Sequence, residues 1–454
     1  MFRRIAIIGG GAAATAMLSE LIEYQPAQPL HLDWYTGGIG SVRGVAYSTR
    51  EDQHLLNVRA ASMGMFGGRS RGFLDFLQRD DPAVAGTDFL PRHRYGDYLE
   101  AEVTRVLALG KARGHDVNII PVAVDSVVPE RGAVTVLHGE ESREVDAAVM
   151  AIGSMPPRPL PGVSAEALDS HRYVIDPWHL LAHVGDHHPS PKRVLVIGTG
   201  LTAIDVLLSL SRQWPQAQFT TVSRHGQLPE AHLRAAAMPS NDGTDLIEAM
   251  QDVPDIRRWM QLLRDAIAQG GEWRAIIDGL RPFTAMLWAE LPPDQRSRFV
   301  RHARWAWDRA RHRMPPEATE TIAALVQGGH LERQRGRLQS VAMIDSGLQV
   351  TTRHAGNFRV QMADLVIQAS GMNINVMNAD HRLINQLLAN AHVTPDPLGL
   401  GLCGSVDGHL QHDGKHWPHF FAIGSLLRGT LWESTAMPEI RQQARNISRQ
   451  LLID

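Results

Sequence analysis

Two glycine-rich stretches hold the residues best suited to chemistry in this chain. Gly9-x-Gly11-x-x-Ala14 follows the β-branched run RIAII (4–8), and Gly198-x-Gly200-x-x-Ala203 follows RVLVI (193–197). In each, the first glycine permits a tight turn, the second lets backbone approach a pyrophosphate, and the small third residue seats helix on strand. The helix N-terminus adds positive potential. One such match is weak, whereas two copies in strand–helix context imply two dinucleotide sites; the plainer alternative is a pair of packing turns. After the second copy, QFTTVS runs into Ser223-Arg224-His225. An NAD site usually has an acid there for the ribose 2′-hydroxyl, and an arginine accommodates a 2′-phosphate, so Arg224 favours NADPH over the reading as an ordinary surface arginine. After the first copy, LHLDWYTGG (30–38) offers no glutamate at the strand end. Asp33 lies early and Thr36 lies nearer the ribose position.

The elements that must position these loops are themselves repeated. Ala14, Met17, Leu18 and Leu21 share one helical face, and so do Ala203, Val206, Leu207 and Leu210. Asp146, Ala151 and Gly153 recur at identical offsets as Asp364, Ala369 and Gly371, and a short alternating segment with a turn precedes each set (AVTVLHGEES and LQVTTRHAGNFRV). Each half reads as a βαβ nucleotide unit, a small β-meander and a glycine-ended strand. The fold class is therefore α/β with two Rossmann-like dinucleotide-binding domains. We place the first at 1–165 plus 360–454 and the second at 190–360, with a helical, tryptophan-rich insertion at 240–330. The Pro-, His- and Gly-rich stretch 154–192 reads as a crossing linker.

Composition narrows the classes. At 454 residues the chain has room for two or three domains. A net charge of −3 gives nucleic acid no overall electrostatic attraction. Cys403 is the only cysteine, which excludes an internal disulfide, a two-cysteine redox centre and a thiolate zinc site. A reducing, cytoplasmic location fits. The start of the chain has a signal-like charge pattern that Gly9–Gly11 interrupt, and no apolar run would span a bilayer. The 22 histidines, including His187-His188 and His412/His416/His419, lack ligand spacing, so no metal is expected. The segment 296–313 holds seven arginines. It reads either as an anion-binding surface or, slightly better, as a solvated helix with Phe299 and Trp305 facing the core.

At this point the chain resembles a known family. The two fingerprints, the Ala-x-Gly strand ends and the stretch FFAIGSLLRGTLWESTAMPEIRQQA (420–444) look like flavoproteins with two dinucleotide-binding domains. RGVAYSTREDQHLLNV, LPRHRYGDYL, SRHGQLPEAH and RARHRMPP extend the resemblance over nearly the whole chain, to bacterial FAD/NAD(P)-binding proteins similar to flavin-containing and N-hydroxylating monooxygenases. The resemblance implies FAD in the first domain and NADPH in the second, with Gly153, Gly371, Gly424, Ser425 and Thr435 among the cofactor contacts. It sets Asn57 beside the isoalloxazine and a helix starting near Pro438 toward the flavin pyrimidine. Glu433, next to that helix, would orient a substrate amine, act as a base, or cap local backbone. The implied activity is oxygenation of a small molecule, an amine among the candidates, with O₂ and a flavin C4a-hydroperoxide. The Phe-x-Gly-x-x-x-His-x-x-x-Trp signature of Baeyer–Villiger and related monooxygenases is absent, and SHRYVIDPWH stands in the linker. Two alternatives stay open: an NAD(P)H oxidoreductase with another acceptor, and a non-catalytic FAD-binding redox sensor.

Overall fold

The computed structural model describes residues 4–24, 28–38, 42–183, 190–235 and 243–453. Arg4–Ile8, rich in β-branched residues, sits at the centre of a six-stranded sheet. Its neighbours are His31–Tyr35 and then Asp116–Ile120 on one side, and Ala147–Met150, Lys415–Ala422 and His409–His412 on the other. All pairings are parallel except the His409–His412/Lys415–Ala422 hairpin at the edge. The helix Ala12–Glu23 lies on one face with Ala14, Met17, Leu18 and Leu21 fully buried. It packs against the C-terminal helix Met437–Ile453, which is why Thr15, Ser19 and Glu20 are buried as well.

The second sheet repeats this plan. Arg193–Ile197 is flanked by Gln218–Ser223 and Leu331–Arg335 on one side and by Leu365–Gln368 and Tyr173–Val174 on the other, all parallel. Leu201–Gln213 is its fingerprint helix, with Ala203, Val206, Leu207 and Leu210 buried. Each unit carries an antiparallel meander, 126–145 in the first and 337–363 in the second.

The strand pairings locate the crossings. Leu365–Gln368 belongs to the second sheet, so the chain returns to the first beyond 371, later than residue 360. The stretch 154–192 does more than link, because Tyr173–Val174 closes an edge of the second sheet; His187 and His188 lie outside the described residues. Helices occupy the insertion from Gly243–Asp252 to Arg304–Arg311. Pro316–Gln327 instead buries Ala318 and Ile322 in the core of the second unit. No described helix is long and apolar enough to cross a membrane.

Candidate functional site

The two glycine loops have the same geometry. Gly9 sits at φ +134° and its N–H donates to the Tyr35 carbonyl at 2.8 Å; Gly198 sits at φ +123° and donates to the Val222 carbonyl at 2.8 Å. A Cβ on Gly9 would stand 2.3 Å from the Ala151 carbonyl oxygen, and one on Gly198 would stand 2.2 Å from that of Ala369. The recurring alanines are thus the strand ends against which the loops close. The recurring aspartates have a matching role. Asp146 accepts the Arg4 N–H and Asp364 those of Lys192 and Arg193, each at 2.9 Å, so each fixes the start of its central strand.

Beyond the tight turns, both loops open outward. A Cβ on Gly11 would meet only Gly44 Cα at 3.7 Å, and those on Gly200, Gly153 and Gly371 would meet nothing within 4 Å. Neither fingerprint helix has an acid in its first turn, which leaves its N–H dipoles uncompensated for an anion. In the first unit Gly424, at φ +84°, brings its Cβ position 3.9 Å from Ala13. The neighbouring Ser425 is 7% exposed, and its Oγ is buried without a hydrogen-bond partner. An open cradle, helix N–H groups and an orphaned hydroxyl together fit a bound dinucleotide.

Several site candidates change role. Asp33 is 1% exposed, and its Oδ1 accepts from Asn118 Nδ2 at 3.0 Å and Arg143 Nη1 at 3.3 Å. That oxygen is held by the neighbouring strand and the meander, while Oδ2 is buried without a hydrogen-bond partner. Thr36 does border the loop, because a Cβ on Gly10 would stand 2.3 Å from its carbonyl oxygen. Trp305 does not face the core. It is 36% exposed and stacks on His225 with ring centroids 4.2 Å apart. The arginines of 296–313 are largely spent on internal partners such as Arg309–Glu230 and Arg313–Asp278. Among the described residues no group of three or more His, Cys, Asp or Glu could hold a metal ion.

Residues the sequence did not mark complete the picture. Gln443 accepts the Gly424 N–H at 2.9 Å and donates to the Ser434 carbonyl at 3.1 Å, so the C-terminal helix holds both ends of 424–434. Arg441 donates to the carbonyls of Ser62 and Gly64 at 3.0 and 2.9 Å, tying the same helix to the segment after Asn57. In the second unit Arg224 is exposed, and Ser223 Oγ, held by Thr199 at 3.0 Å, accepts the Gly226 N–H at 2.9 Å. Strand pairing sets Arg335 beside Ser223. Burial lowers the His225 pKa, and the nearby charges of Arg224, Arg335 and Arg337 lower it further. Three cations therefore surround the strand end where a 2′-phosphate would lie.

The Asn57 carboxamide has no hydrogen-bond partner among the described residues. Its backbone carbonyl accepts from His232 Nε2 at 3.2 Å, and burial, followed by Arg313, pushes that histidine down to about 3. Hydrogen bonds and ion pairs join the insertion to the C-terminal segment. Trp288 Nε1 donates to the Gly429 carbonyl at 2.7 Å, Trp307 Nε1 to Glu433 Oε1 at 2.8 Å, and Arg281 pairs with Glu439 through 2.5 and 2.9 Å bonds. The Glu433 side chain is 8% exposed and caps no backbone among the described residues; Arg311 Nε lies 3.9 Å from its Oε2. No hydrogen bond is made by the Thr435 side chain among the described residues; Thr435 lies two residues before the C-terminal helix.

Comparison with known proteins agrees with this geometry. Residues 6–155 match a family model described as FAD-NAD(P)-binding. No curated protein sequence matches the chain. Among solved structures, the chain is similar to the ornithine N-hydroxylase of Kutzneria sp. 744, whose description includes reduced FAD, NADP⁺ and L-ornithine (TM-score 0.63, 16% identity, 99% of both chains covered). It is also similar to ornithine hydroxylase from Pseudomonas aeruginosa (0.64, 17%, 100% of this chain and 99% of that one). A third likeness is to the FAD-bound cadaverine monooxygenase of Erwinia amylovora (0.65, 11%, 100% and 95%). The chain has the two-domain flavin monooxygenase fold.

Proposed function

We propose that the chain is an NADPH-dependent flavin monooxygenase acting on a small amine. FAD would lie along Gly9–Ala14, Thr36, Gly153 and Gly424-Ser425, with Thr435 near its far end. NADPH would lie along Gly198–Ala203 and Gly371, with its 2′-phosphate at Arg224. Bound FAD supplies the acceptor for the NADPH hydride and the centre at which O₂ is activated. The protein's own residues position and shield. Asn57 presents a free carboxamide, and Glu433 is a buried carboxylate that would orient an amine. Other amine-hydroxylating structures share this fold over their whole length, which makes an amine the favoured substrate class. A cytoplasmic setting accords with the lone cysteine.

The observation that carries this reading is the attachment of the helical insertion to residues 429–439. It supports an enclosed apolar space beside the segment along which FAD would lie, as a reaction shielded from water needs. Purified protein should be yellow and should consume NADPH only with O₂ present. Undiminished consumption under anaerobic conditions with a dye or quinone would favour the oxidoreductase alternative.

A further inference from the structure

The helix Arg304–Arg311 buries one of its residues, and that residue is an arginine. Arg311 is 6% exposed, yet its side chain makes no hydrogen bond among the described residues. Its Nε is buried without an acceptor, and its contact with an acid is Glu433 Oε2 at 3.9 Å. The other six arginines of 296–313 each donate at least one side-chain hydrogen bond. A guanidinium carries five N–H donors in a planar fork and keeps its charge. Burying one without acceptors is costly, so it marks a place where an acceptor belongs.

The neighbours of Arg311 say which acceptor. Glu433, Arg281, Glu439 and Asp278 are the charged groups around it. Three residues on, the Met314 N–H donates to the Glu230 carbonyl at 2.8 Å, and its carbonyl accepts the His232 N–H at 2.9 Å. His232 in turn faces the Asn57 carbonyl and has Arg313, Arg59 and Arg311 near it. Arg311 is therefore close to both Glu433 and the His232–Asn57 contact. The charge there is lopsided. Arg281, Arg311 and Arg428 all act on the single carboxylate of Glu433. Arg281 and Arg313 already occupy Glu439 and Asp278, and Arg59 donates to backbone carbonyls alone.

We infer that Arg311 holds a carboxylate of the substrate, and that the substrate is an amine of net negative charge, an acidic amino acid in class, rather than a diamine or a basic amino acid. The inference rests on the amine-oxygenating reading above and narrows it to a substrate class. A carboxylate matches the guanidinium fork through two parallel hydrogen bonds and supplies the charge that Glu433, at 3.9 Å and shared with other arginines, does not. A second ammonium would instead stand among Arg59, Arg281, Arg311 and Arg313, where like charges repel and the nearby acids are taken. The same cations favour the neutral form of the remaining amine, whose lone pair must be free to accept oxygen.

The test is calorimetric titration of the oxidised, FAD-bound protein in the presence of NADP⁺. The probes are aspartate, glutamate, ornithine and cadaverine. The better of the two acidic amino acids should bind about tenfold or more tightly than ornithine, and cadaverine should bind most weakly. Arg311→Gln should weaken that acidic amino acid by about tenfold or more. It should leave the FAD content and the flavin reduction potential unchanged, which a guanidinium serving the flavin would not, and Arg311→Lys should recover part of the lost affinity. The inference is overturned if neither acidic amino acid binds, if ornithine or cadaverine binds as tightly as the better of them, or if Arg311→Gln leaves that affinity unchanged. The wild-type ranking decides the matter even if a variant fails to fold. Acidic amino acids that bind through Arg311 without stimulating O₂-dependent NADPH use would leave the site assignment standing and remove the monooxygenase reading.

Discussion

Arg224 is the clearest case in which one side chain sets a preference. It is exposed at the end of Gln218–Ser223 with no acid beside it, and Arg335 and Arg337 share its neighbourhood. Arg224→Ala should weaken NADPH by about 1.5–3 kcal/mol, a charge-assisted hydrogen bond, toward the lower figure because two cations remain. NADH should be almost unaffected, and equal losses for the two nucleotides in a titration would contradict the assignment. Asn57 is the second case. Asn57→Leu should retain FAD, whose proposed phosphate contacts lie elsewhere, but release more H₂O₂ per NADPH oxidised because a fixed donor beside the ring is lost. An unchanged peroxide yield would take Asn57 out of the oxygen chemistry. The sequence displayed both residues by type and spacing. It did not reveal the partners of Asp33 Oδ1, because a strand position does not tell which face a carboxylate serves, and Arg143 and Asn118 lie roughly a hundred residues away. Arg335 was hidden for the same reason, since only parallel pairing with Gln218–Ser223 brings it to the site.

At the scale of elements, the junction between the two units is polar and responsive to pH. The second fingerprint helix contributes Asp205 and Ser209, and the first unit contributes His54 and Arg92. His54 Nε2 faces the Asp205 carbonyl at 3.2 Å and therefore carries the ring proton, while Nδ1 accepts from Thr49 Oγ1 at 2.6 Å. Burial, reinforced by Arg92, pushes this histidine from its usual 6.5 down to about 4. The unfolded chain thus takes up a proton that the folded one refuses. Stability from His54 is complete above about pH 6.5 and falls as pH drops through about 4, by up to about 3 kcal/mol. Asp205 opposes this in part. Burial pushes its carboxyl up to about 6 even with Arg92 beside it, so its contribution declines as pH rises through that value. His54→Gln should melt at a lower temperature than wild type near about pH 7.5, yet lose less on acidification to about pH 5. Parallel melting curves for the two proteins across that range would contradict the account. None of this was visible in the pattern of HLLNV, where His54 looks like one more loop histidine.

For the molecule as a whole, duplication made the architecture legible. Two fingerprints, two meanders and two Asp–Ala–Gly strand ends correspond to two sheets built alike, because each repeated offset serves a local contact between strand start, strand end and glycine loop. The boundary near 360 fell short because the last strand of the second sheet also reads as the start of a return path. The cavity in the insertion could not be foreseen, since tryptophans at helical spacing look the same whether they pack on each other or around a space. What unites the parts is that the first nucleotide loop and the helical insertion both meet one C-terminal segment, 424–439. The account's central claim is that an oxygen atom from O₂ is transferred to an amine bound there. The most direct measurement is mass spectrometry of the products formed from aspartate, glutamate, ornithine and cadaverine with NADPH under isotopically heavy O₂. The account predicts a hydroxylated amine carrying one heavy oxygen atom for each NADPH consumed. NADPH oxidation that yields only peroxide or a reduced acceptor, with every amine recovered unlabelled, would contradict it.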